Sequence, residues 1–312
     1  MPIVQIEDVT KTYGKHTAVS NLSLSVPTGS MYGFIGPNGS GKTTTIRMIL
    51  RIIHPDSGSI EVLGNRSAAA ANDELGYLPE ERGLYKKLTV RRMLMYYATL
   101  KGMSTKPAAI EVSNWLERFE LGEWSTKKIE TLSKGMSQKV QFIASVIAKP
   151  KLLILDEPFS GLDPVNRETI RSSILELRQQ GTTVIFSTHD MGVAEKMCDF
   201  VFMIFQGEKV LDGPLESIKA QNGADSVHLR WNGSREDLHS IGEIQKVIDL
   251  GAYQEIQIKG DAQRVLRQLV DKGSVQLFEI AQPSLNEIFL RIAGPAAKGS
   301  AATTSEFAGV TS

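Results

Sequence analysis

The chain has 312 residues, of which 41% are hydrophobic, so it is long enough for one large globular domain and a smaller one. Its 35 basic and 35 acidic residues cancel to a formal net charge of zero, which gives no overall indication of nucleic-acid binding. The single cysteine, Cys198, excludes an internal disulfide and is expected to be a small buried hydrophobic residue.

Apolar, strand-like runs alternate with helical patterns over about the first 215 residues, which predicts an α/β domain with a largely parallel sheet. Continuous apolar runs are typical of strands that are buried on both faces, and Asp-Pro is typical of a helix N-cap and first position. In chain order, the predicted elements are a strand at 31–35, a helix at 41–53, a strand at 152–155, a helix from Asp163–Pro164 to about Gln180, and a strand at 183–187.

A second domain is predicted after the first. We expect domain boundaries at 1–218 and 226–293, with the polar, loop-like stretch 219–225 as a linker. Alternating apolar residues predict strands around Val227–Trp231 and Ile256–Ile258, and helical spacing predicts a helix at Val265–Val270. Ser284 and Glu287 form a capping box before a further helix. The pattern indicates a small α+β domain, and the Gly-, Ala-, Ser- and Thr-rich tail 294–312 is expected to be disordered.

A phosphate-binding loop follows the predicted strand 31–35 and opens the next helix. It fits the pattern G-x-x-x-x-G-K-[ST] at every fixed position. Its residues are Gly36, Pro37, Asn38, Gly39, Ser40, Gly41, Lys42 and Thr43, followed by Thr44. Lys42 is expected to reach the β- and γ-phosphates, and the Thr43 hydroxyl is expected to bind Mg²⁺. The motif predicts nucleoside triphosphate binding, which kinases, GTPases and ATPases share.

The predicted strand 152–155 ends in two carboxylates, Asp156 and Glu157. The strand is expected to deliver Asp156 beside the phosphate loop, where its carboxylate is a candidate ligand of Mg²⁺. Glu157 is a candidate general base that polarises water for attack on the γ-phosphate, a role that contributes roughly 10²- to 10⁴-fold in rate. The alternative is that both residues are solvated acids at the end of a strand.

The run Leu132–Gln138, Leu-Ser-Lys-Gly-Met-Ser-Gln, resembles the L-S-G-G-Q signature of ABC ATPases. It lies between the phosphate loop and the acidic strand, which is the order found in that family. Further motifs of the family match at Tyr13 (adenine stacking), Glu80 (Q-loop), Ser160–Asp163 (D-loop) and His189 (switch histidine). From about residue 3 to 213 the chain therefore resembles an ABC nucleotide-binding domain. This resemblance implies a mixed-sheet core with a helical subdomain at about residues 85–150.

The resemblance also implies that the chain binds ATP and Mg²⁺ and dimerises head to tail, with a second copy or a close paralogue, around two ATP molecules. The signature residues of one chain then act on the ATP of its partner, because in this family they face away from their own phosphate loop. His189 is expected to contact the γ-phosphate and to hold Glu157 in place. Asp163 belongs to the D-loop, although it is also expected to cap its own helix.

The sequence departs from the family pattern at two sites. Glu80 replaces the usual Q-loop glutamine, and Lys134 and Met136 replace a glycine and the glutamine of the signature. A carboxylate still offers an oxygen to Mg²⁺, so the expected metal ligands are Thr43, Glu80 and Asp156. Ser133 and Gly135, which lie nearest the phosphate in the family, are both present. Activity is therefore expected to survive these replacements.

Two segments are similar to a bacterial exporter branch of the family. Gly76–Tyr85 and Pro283–Leu290 resemble the ATPases of sodium-efflux and multidrug-efflux systems, in which a small C-terminal domain is appended. The implied function is the ATP-hydrolysing subunit of an exporter that drives a separate membrane permease. Met93, Met95, Tyr96 and Tyr97, on the helix predicted after Glu80, are either permease contacts or core residues.

No run of about 20 apolar residues is present, so no segment is predicted to span a membrane, and no signal peptide is expected. The implied location is cytoplasmic, peripheral on the inner face of the cell membrane, with membrane contact only through the permease and no nucleic-acid partner. The alternative is a soluble ABC ATPase that acts on ribosomes or DNA. Such proteins usually carry two cassettes, long coiled coils or zinc-binding cysteines, which this sequence lacks. A P-loop kinase or GTPase would not require a signature motif or Glu157.

Overall fold

The structure, a computed structural model, describes residues 2–65, 73–81, 83–222, 226–234, 238, 240–249, 251, 253–281 and 283–293. The chain divides into two compact units after Pro214. The tail 294–312, predicted to be disordered, lies outside the described residues, as do residues 223–225 of the predicted linker.

Nine strands in the described part of the first unit form two sheets. They are β1 (Pro2–Tyr13), β2 (His16–Pro27), β3 (Met31–Ile35), β4 (Ser57–Val62), β5 (Leu75–Leu78), β6 (Leu152–Asp156), β7 (Thr183–Thr188), β8 (Phe200–Phe205) and β9 (Glu208–Pro214). The antiparallel sheet has the order β2-β1-β4, and the larger sheet has the order β5-β6-β7-β3-β8-β9. In the larger sheet all neighbours are parallel except β8 and β9. This mixed-sheet core confirms the predicted fold class.

The central strands β3, β6 and β7 are buried along their whole length, as their continuous apolar runs predict. The register pairs Ile35 with Thr188 and Asp156 with Ser187, so these strands end at the same level of the sheet. The single cysteine is buried as expected, and burial raises the pKa of the Cys198 thiol.

The described helices of the first unit are α1 (Lys42–Ile49), α2 (Val90–Leu100), α3 (Thr105–Arg118), α4 (Lys134–Val146), α5 (Pro164–Gln179) and α6 (Met191–Met197), with short 3₁₀ turns at Gly122–Trp124 and Ile129–Thr131. Helix α1 is shorter than the predicted helix 41–53, because Arg51 has a φ of 57° and a left-handed residue ends a helix. Helix α5 agrees with its prediction: Asp163 accepts hydrogen bonds from the backbone N–H groups of Val165 (3.1 Å) and Asn166 (3.0 Å).

The region between β5 and β6 is built from α2, α3, α4 and the two 3₁₀ turns. Its interior includes an aromatic cluster in which Trp115, Phe119 and Phe142 lie with ring centroids 5.6 to 6.2 Å apart. On α2, Met93 is fully buried and is therefore a core residue, whereas Tyr96 is exposed. Of the two alternatives predicted for these residues, Met93 is therefore a core residue, and Tyr96 is available for an external contact.

The second unit contains an antiparallel sheet in the order β11-β12-β10-β13 and three described helices. The strands are β10 (Ser226–Asn232), β11 (Ile244–Asp249), β12 (Gln254–Ile258) and β13 (Ser274–Ala281), and the helices are α7 (Leu215–Asn222), α8 (Ala262–Lys272) and a helix at 285–293. A compact core packs between the sheet and α8, as in an α+β fold. The capping box forms as predicted: Ser284 N–H donates to Glu287 Oε2, and Glu287 N–H donates to Ser284 Oγ.

Residues 219–222, expected in a loop-like linker, are helical because they belong to α7. Leu215 and Ile218 are buried and lie three residues apart, so they share one side of the helix. Their burial outweighs the polar composition on which the loop prediction rested. Across the described residues, no helix combines the length and the apolar character that a membrane crossing requires.

Candidate functional site

Four loops that carry predicted site residues lie at one edge of the six-stranded sheet. The phosphate loop follows β3, Glu80 follows β5, Glu157 follows β6, and His189 follows β7. Strands β5, β6, β7 and β3 are adjacent and parallel, so their carboxyl ends meet, as they do at the ligand sites of other parallel α/β sheets. The sheet topology therefore collects residues that are far apart in sequence.

A cavity of about 390 Å³ opens at this edge, within the size range of small-molecule sites. Its lining brings together four predicted elements: the phosphate loop, Tyr13, Glu80 and Glu157. The lining residues are Tyr13, His16, Ala18, Asn38, Gly39, Gly41, Lys42, Thr43, Thr44, Glu80 and Glu157. The sequence analysis missed His16 and Ala18, since neither belongs to a motif; both lie on β2, next to Tyr13 at the end of β1.

Two glycines of the phosphate loop are required by close approaches of the backbone. A Cβ atom at Gly36 would lie 2.2 Å from the carbonyl oxygen of Ile204, and one at Gly41 would lie 2.5 Å from the carbonyl oxygen of Ala18. Both glycines also have positive φ, at 157° and 113°. No other residue type fits these positions without displacing the backbone, so the loop curls as the motif predicts.

The Lys42 side chain is buried beneath the loop. Its ammonium group donates hydrogen bonds to the carbonyl oxygens of Gly36 (2.7 Å) and Pro37 (3.0 Å). Burial lowers the pKa of Lys42, and the carboxylates of Glu157, Asp156 and Glu80 oppose that shift. An ammonium has three donors, so one remains for a ligand that enters the cavity.

Asp156 has the oxygen chemistry expected of a metal ligand. Its carboxylate is 1% exposed. Oδ1 accepts a hydrogen bond from the Ser187 hydroxyl and lies 3.4 Å from the Thr43 hydroxyl, whereas Oδ2 is buried and has no hydrogen-bond partner. A buried, unpartnered carboxylate oxygen beside a hydroxyl is a donor set that suits Mg²⁺, because this cation selects oxygen ligands. The residues present therefore fit the expected metal.

Glu157 is held in an uncommon backbone conformation at the end of β6. Its φ is 49°, in the left-handed region that non-glycine residues seldom adopt. Its N–H donates to Ser187 Oγ (3.0 Å), and its Oε1 lies 2.9 Å from His189 Nδ1. The Glu157 side chain is 10% exposed and that of His189 is 58% exposed. A carboxylate that is oriented by an imidazole and faces a cavity is suited to accept a proton from water.

Ser187 is a site residue that the sequence analysis missed. Its hydroxyl contacts both acids at once, because it donates to Asp156 Oδ1 and accepts from the Glu157 N–H. The available signal was a serine at the end of an apolar strand that directly precedes Thr188-His189. That signal is weak, since a serine alone does not indicate which groups it will bind.

The signature residues lie apart from the cavity of their own chain. Ser133 is the N-cap of α4, and its hydroxyl accepts a hydrogen bond from the Met136 N–H at 3.2 Å. The Lys134 and Gly135 positions lie against the D-loop and the start of α5: a Cβ atom at Gly161 would lie 2.9 Å from Lys134 Nζ, and one at Gly135 would lie 3.2 Å from the Asn166 amide. None of these residues lines the described cavity.

Asp163 is likewise not among the described residues of the cavity wall. Its carboxylate caps α5, and the hydrogen bond from the Asn166 backbone N–H lowers its pKa. The structure thus gives Asp163 the helix-capping role that the sequence left open beside the D-loop role.

Comparison with known proteins finds two families along the chain. Residues 19–160 match the family described as ABC transporter, and residues 213–293 match the C-terminal domain of DrrA1-3-like ATP-binding proteins. An uncharacterised ABC transporter ATP-binding protein of Bacillus subtilis strain 168, YhaQ, is 41% identical over 94% of this chain and 99% of its own length. The linearmycin resistance ATP-binding protein LnrL of the same strain is 33% identical over 94% and 98%. The Nod factor export ATP-binding protein I of Rhizobium etli is 32% identical over 94% of each.

Two solved structures share the fold of the first unit. An ATP-binding subunit of an ABC transporter superposes with a TM-score of 0.67 at 30% identity, covering 70% of this chain and 93% of the other. A dimeric ATP-binding cassette in a post-hydrolysis state, bound to ADP and phosphate, superposes with a TM-score of 0.62 at 25% identity over 68% and 98%. The phosphate loop, the acidic pair and these relatives lead to one conclusion: the chain belongs to the ATP-binding subunits of ABC transporters, whose ATPase activity is coupled to transport, and it carries a DrrA-like C-terminal domain.

Proposed function

We propose that ATP binds in the cavity beside the phosphate loop and that the chain hydrolyses it there. The observation that carries this proposal is the convergence of the phosphate loop, Tyr13, Glu80 and Glu157 on one cavity. The Tyr13 ring is 49% exposed, so it offers a face on which adenine stacks. The phosphate-loop N–H groups and the Lys42 ammonium bind the phosphates.

Thr43, Asp156 and Glu80 would hold Mg²⁺, an assignment supported by the unpartnered Oδ2 of Asp156. When bound, this ion neutralises charge on the phosphate oxygens. Glu80 lines the same cavity as Thr43, so its carboxylate is available where the family usually has an amide.

Glu157 acts as the general base of hydrolysis. Its carboxylate faces the cavity, orients a water molecule for attack on the γ-phosphate and accepts the proton of that water. The His189 ring, 2.9 Å from Glu157 Oε1, fixes the direction of the carboxylate, and we assign it the further role of contacting the γ-phosphate. The hydrogen bond from the Glu157 N–H to Ser187 keeps the backbone in the φ-positive conformation that directs this side chain.

Hydrolysis requires two chains. The position of Ser133 supports this step, since neither it nor the other signature residues are among the described residues that line the cavity. The N-terminus of α4 is suited to bind an anion, and a twofold, head-to-tail dimer places it on the partner's γ-phosphate. The relative bound to ADP and phosphate is a dimer, which supports dimerisation.

The dimer drives a separate membrane permease. A groove of about 350 Å³ lies behind the Glu80 loop, between β5, α2 and α4, and its walls include Leu50, Ile52, Tyr77, Leu84 and Tyr97. Beside it, Tyr85 and Tyr96 are exposed with ring centroids 6.0 Å apart. A short amphipathic helix of the permease fits this largely apolar surface, which would place the chain on the inner face of the cell membrane. The resistance and export relatives favour an exporter.

The test is a pull-down of tagged, full-length chain from detergent-solubilised native membranes, with partners identified by mass spectrometry. Stoichiometric recovery of a multi-span permease is the expected result. A Tyr96→Glu variant should lose that permease while it retains ATP binding, because Tyr96 lies outside the nucleotide cavity. Recovery of ribosomal or DNA-repair proteins without any membrane protein would contradict the transport proposal.

A further inference from the structure

Two glutamine side chains on α4 connect the signature helix to the two loops that carry Glu157 and Glu80. Gln138 and Gln141 are three residues apart, so they share one side of the helix. Gln138 donates to the loop after β6, and Gln141 donates to the loop after β5. Gln138 is the last residue of the signature run and Gln141 lies outside it, and neither is among the described residues that line the nucleotide cavity.

Gln138 contacts the residue that follows the general base. Its Nε2 donates to the Pro158 carbonyl oxygen at 2.9 Å. Glu157 itself has a φ of 49°, a conformation that costs free energy and persists only where neighbouring groups hold it. A proline N atom has no hydrogen to donate, so the Glu157–Pro158 turn depends on bonds from other elements. The Gln138 amide supplies one of these bonds from the signature helix.

Gln141 spans the loop that carries Glu80. Its side chain is 7% exposed, and its Nε2 donates to the carbonyl oxygens of Glu81 (3.1 Å) and Pro79 (3.4 Å). These carbonyls flank Glu80 on both sides, so the amide fixes the backbone from which the Glu80 carboxylate extends into the cavity. A buried amide with this pair of acceptors is costly to replace by a group without donors.

We propose that Gln138 and Gln141 are positioning residues: they couple the signature helix to the Glu157 and Glu80 loops, so that the orientation of α4 sets the geometry of hydrolysis. This inference rests on the roles proposed above for Glu157, Glu80 and the signature. The three hydrogen bonds run from one helix whose N-cap is Ser133. A displacement of α4 when its N-terminus meets the partner's ATP therefore reaches both loops through direct hydrogen bonds.

The first experiment compares Gln138→Met and Gln138→Glu in the purified full-length chain, with kcat and KM for ATP measured at saturating Mg²⁺. Met keeps the length of the side chain and removes the donor, and we expect kcat to fall about ten-fold, equivalent to about 1.4 kcal/mol, with KM little changed. Glu places a second acceptor against the Pro158 carbonyl, so its kcat should fall further. This order of kcat values, with Gln highest, Met lower and Glu lowest, is specific to a hydrogen bond that the side chain donates.

Lys139→Met is the matched control, because Lys139 lies on the same helix and also donates to a backbone carbonyl, that of Phe119 at 3.3 Å, away from both loops. Its kcat should stay within about two-fold of wild type. Gln141→Met should lower kcat several-fold, and melting temperatures identify any variant that has lost its fold. If Gln141→Met does not fold, the partly exposed Gln138 still decides the question.

Wild-type kcat in folded Gln138→Met would overturn the proposal, as would a Lys139→Met variant that is equally impaired. Glu157→Gln, measured in the same assay, separates this inference from the proposed function. If Glu157→Gln is inactive and Gln138→Met is fully active, only the coupling fails. If Glu157→Gln hydrolyses ATP at the wild-type rate, Glu157 is not the general base, and both the proposed function of Glu157 and the coupling inference fail.

Discussion

At the scale of single residues, one hydroxyl holds the two acids of the site in register. Ser187 is fully buried, donates to Asp156 and accepts from the Glu157 N–H. It therefore fixes Asp156 Oδ1, while the second oxygen, Oδ2, is buried and has no hydrogen-bond partner. The same contact stabilises the left-handed conformation of Glu157.

We therefore expect Ser187→Ala to lower kcat about ten-fold or more with a smaller change in KM, because each buried polar group left with one bond fewer costs about 1–3 kcal/mol. Steady-state kinetics of the purified Ser187→Ala chain would measure both kcat and KM. Ser173→Ala is the matched control, since Ser173 is equally buried and donates to the Thr169 carbonyl within α5, away from the site. Equal losses in the two variants would indicate a general effect of the missing hydroxyl on stability.

Tyr13 is expected to act on ATP binding and not on the hydrolysis step. The ring is half exposed at the end of β1, and Lys11 Nζ lies 5.6 Å from its centroid, so the ring is positioned without being covered. Stacking of a base on an aromatic ring contributes roughly 1–3 kcal/mol. Tyr13→Ala should raise KM for ATP about ten-fold and leave kcat nearly unchanged, whereas Tyr13→Phe should bind as wild type. A fall in kcat at saturating ATP would contradict the adenine-stacking role.

At the scale of secondary-structure elements, Asp163 has a capping role in α5 beside the D-loop role that the family resemblance implies. It caps the helix through the N–H groups of Val165 and Asn166, and a Cβ atom at Gly161 in the same D-loop would lie 2.9 Å from Lys134 Nζ. The capping role needs only an oxygen acceptor. A role of the D-loop in the proposed dimer would depend on the charge of the carboxylate as well.

Asp163→Asn and Asp163→Ala separate these roles. Asparagine retains the capping oxygen, so Asp163→Asn should melt close to wild type, and Asp163→Ala should melt a few degrees lower. If the charge matters in the dimer, both variants should lose ATPase activity. Differential scanning calorimetry together with ATPase rates would test this, and a fully active Asp163→Asn would limit Asp163 to its capping role.

The sequence predicts those parts of the site that follow from strand order. Leu152–Leu155 and Thr183–Ser187 are buried on both faces, so their continuous apolar runs are readable, and the residues that follow them must reach the carboxyl edge of the sheet. Ser187, Gln138 and Gln141 were not predictable in this way. Their hydrogen-bond partners, such as Pro158, Pro79 and Glu81, are 20 to 62 residues away in sequence.

The error at 219–222 has a different cause. The segment from Leu215 to Asn222 has few apolar residues, and composition alone favours a loop. Only burial of Leu215 and Ile218 within the second unit selects the helix, and burial of two residues is a tertiary effect that single-sequence periodicity detects poorly. The length of α1 was overestimated for a similar reason. Arg51 adopts the left-handed conformation that ends the helix, but no glycine or proline at this position indicates the end in the sequence.

At the scale of the whole molecule, the groups for one hydrolysis event are divided between two places in the chain. The phosphate loop and Glu157 share the cavity, and the signature serine lies on a helix end that does not contribute to it. The chain carries no net charge, so a dimer of two copies would face no overall electrostatic repulsion, and in the proposed arrangement bound ATP would supply the anions that join the two surfaces. ATP binding and association should therefore be thermodynamically linked.

This linkage predicts that Glu157→Gln, which removes the proposed base but keeps the shape of the side chain, accumulates an ATP-bound dimer. Size-exclusion chromatography with light scattering should give a monomer without nucleotide and a dimer with ATP. The dimer persists because the variant does not hydrolyse the ATP that holds the two chains together. Adding Ser133→Arg to the Glu157→Gln chain should abolish the dimer while each monomer still binds ATP, since in the proposed arrangement Ser133 lies against the partner's nucleotide and not against that of its own chain. A dimer that forms equally well with and without ATP would instead assign association to another surface, and the shared-site mechanism would have to be abandoned.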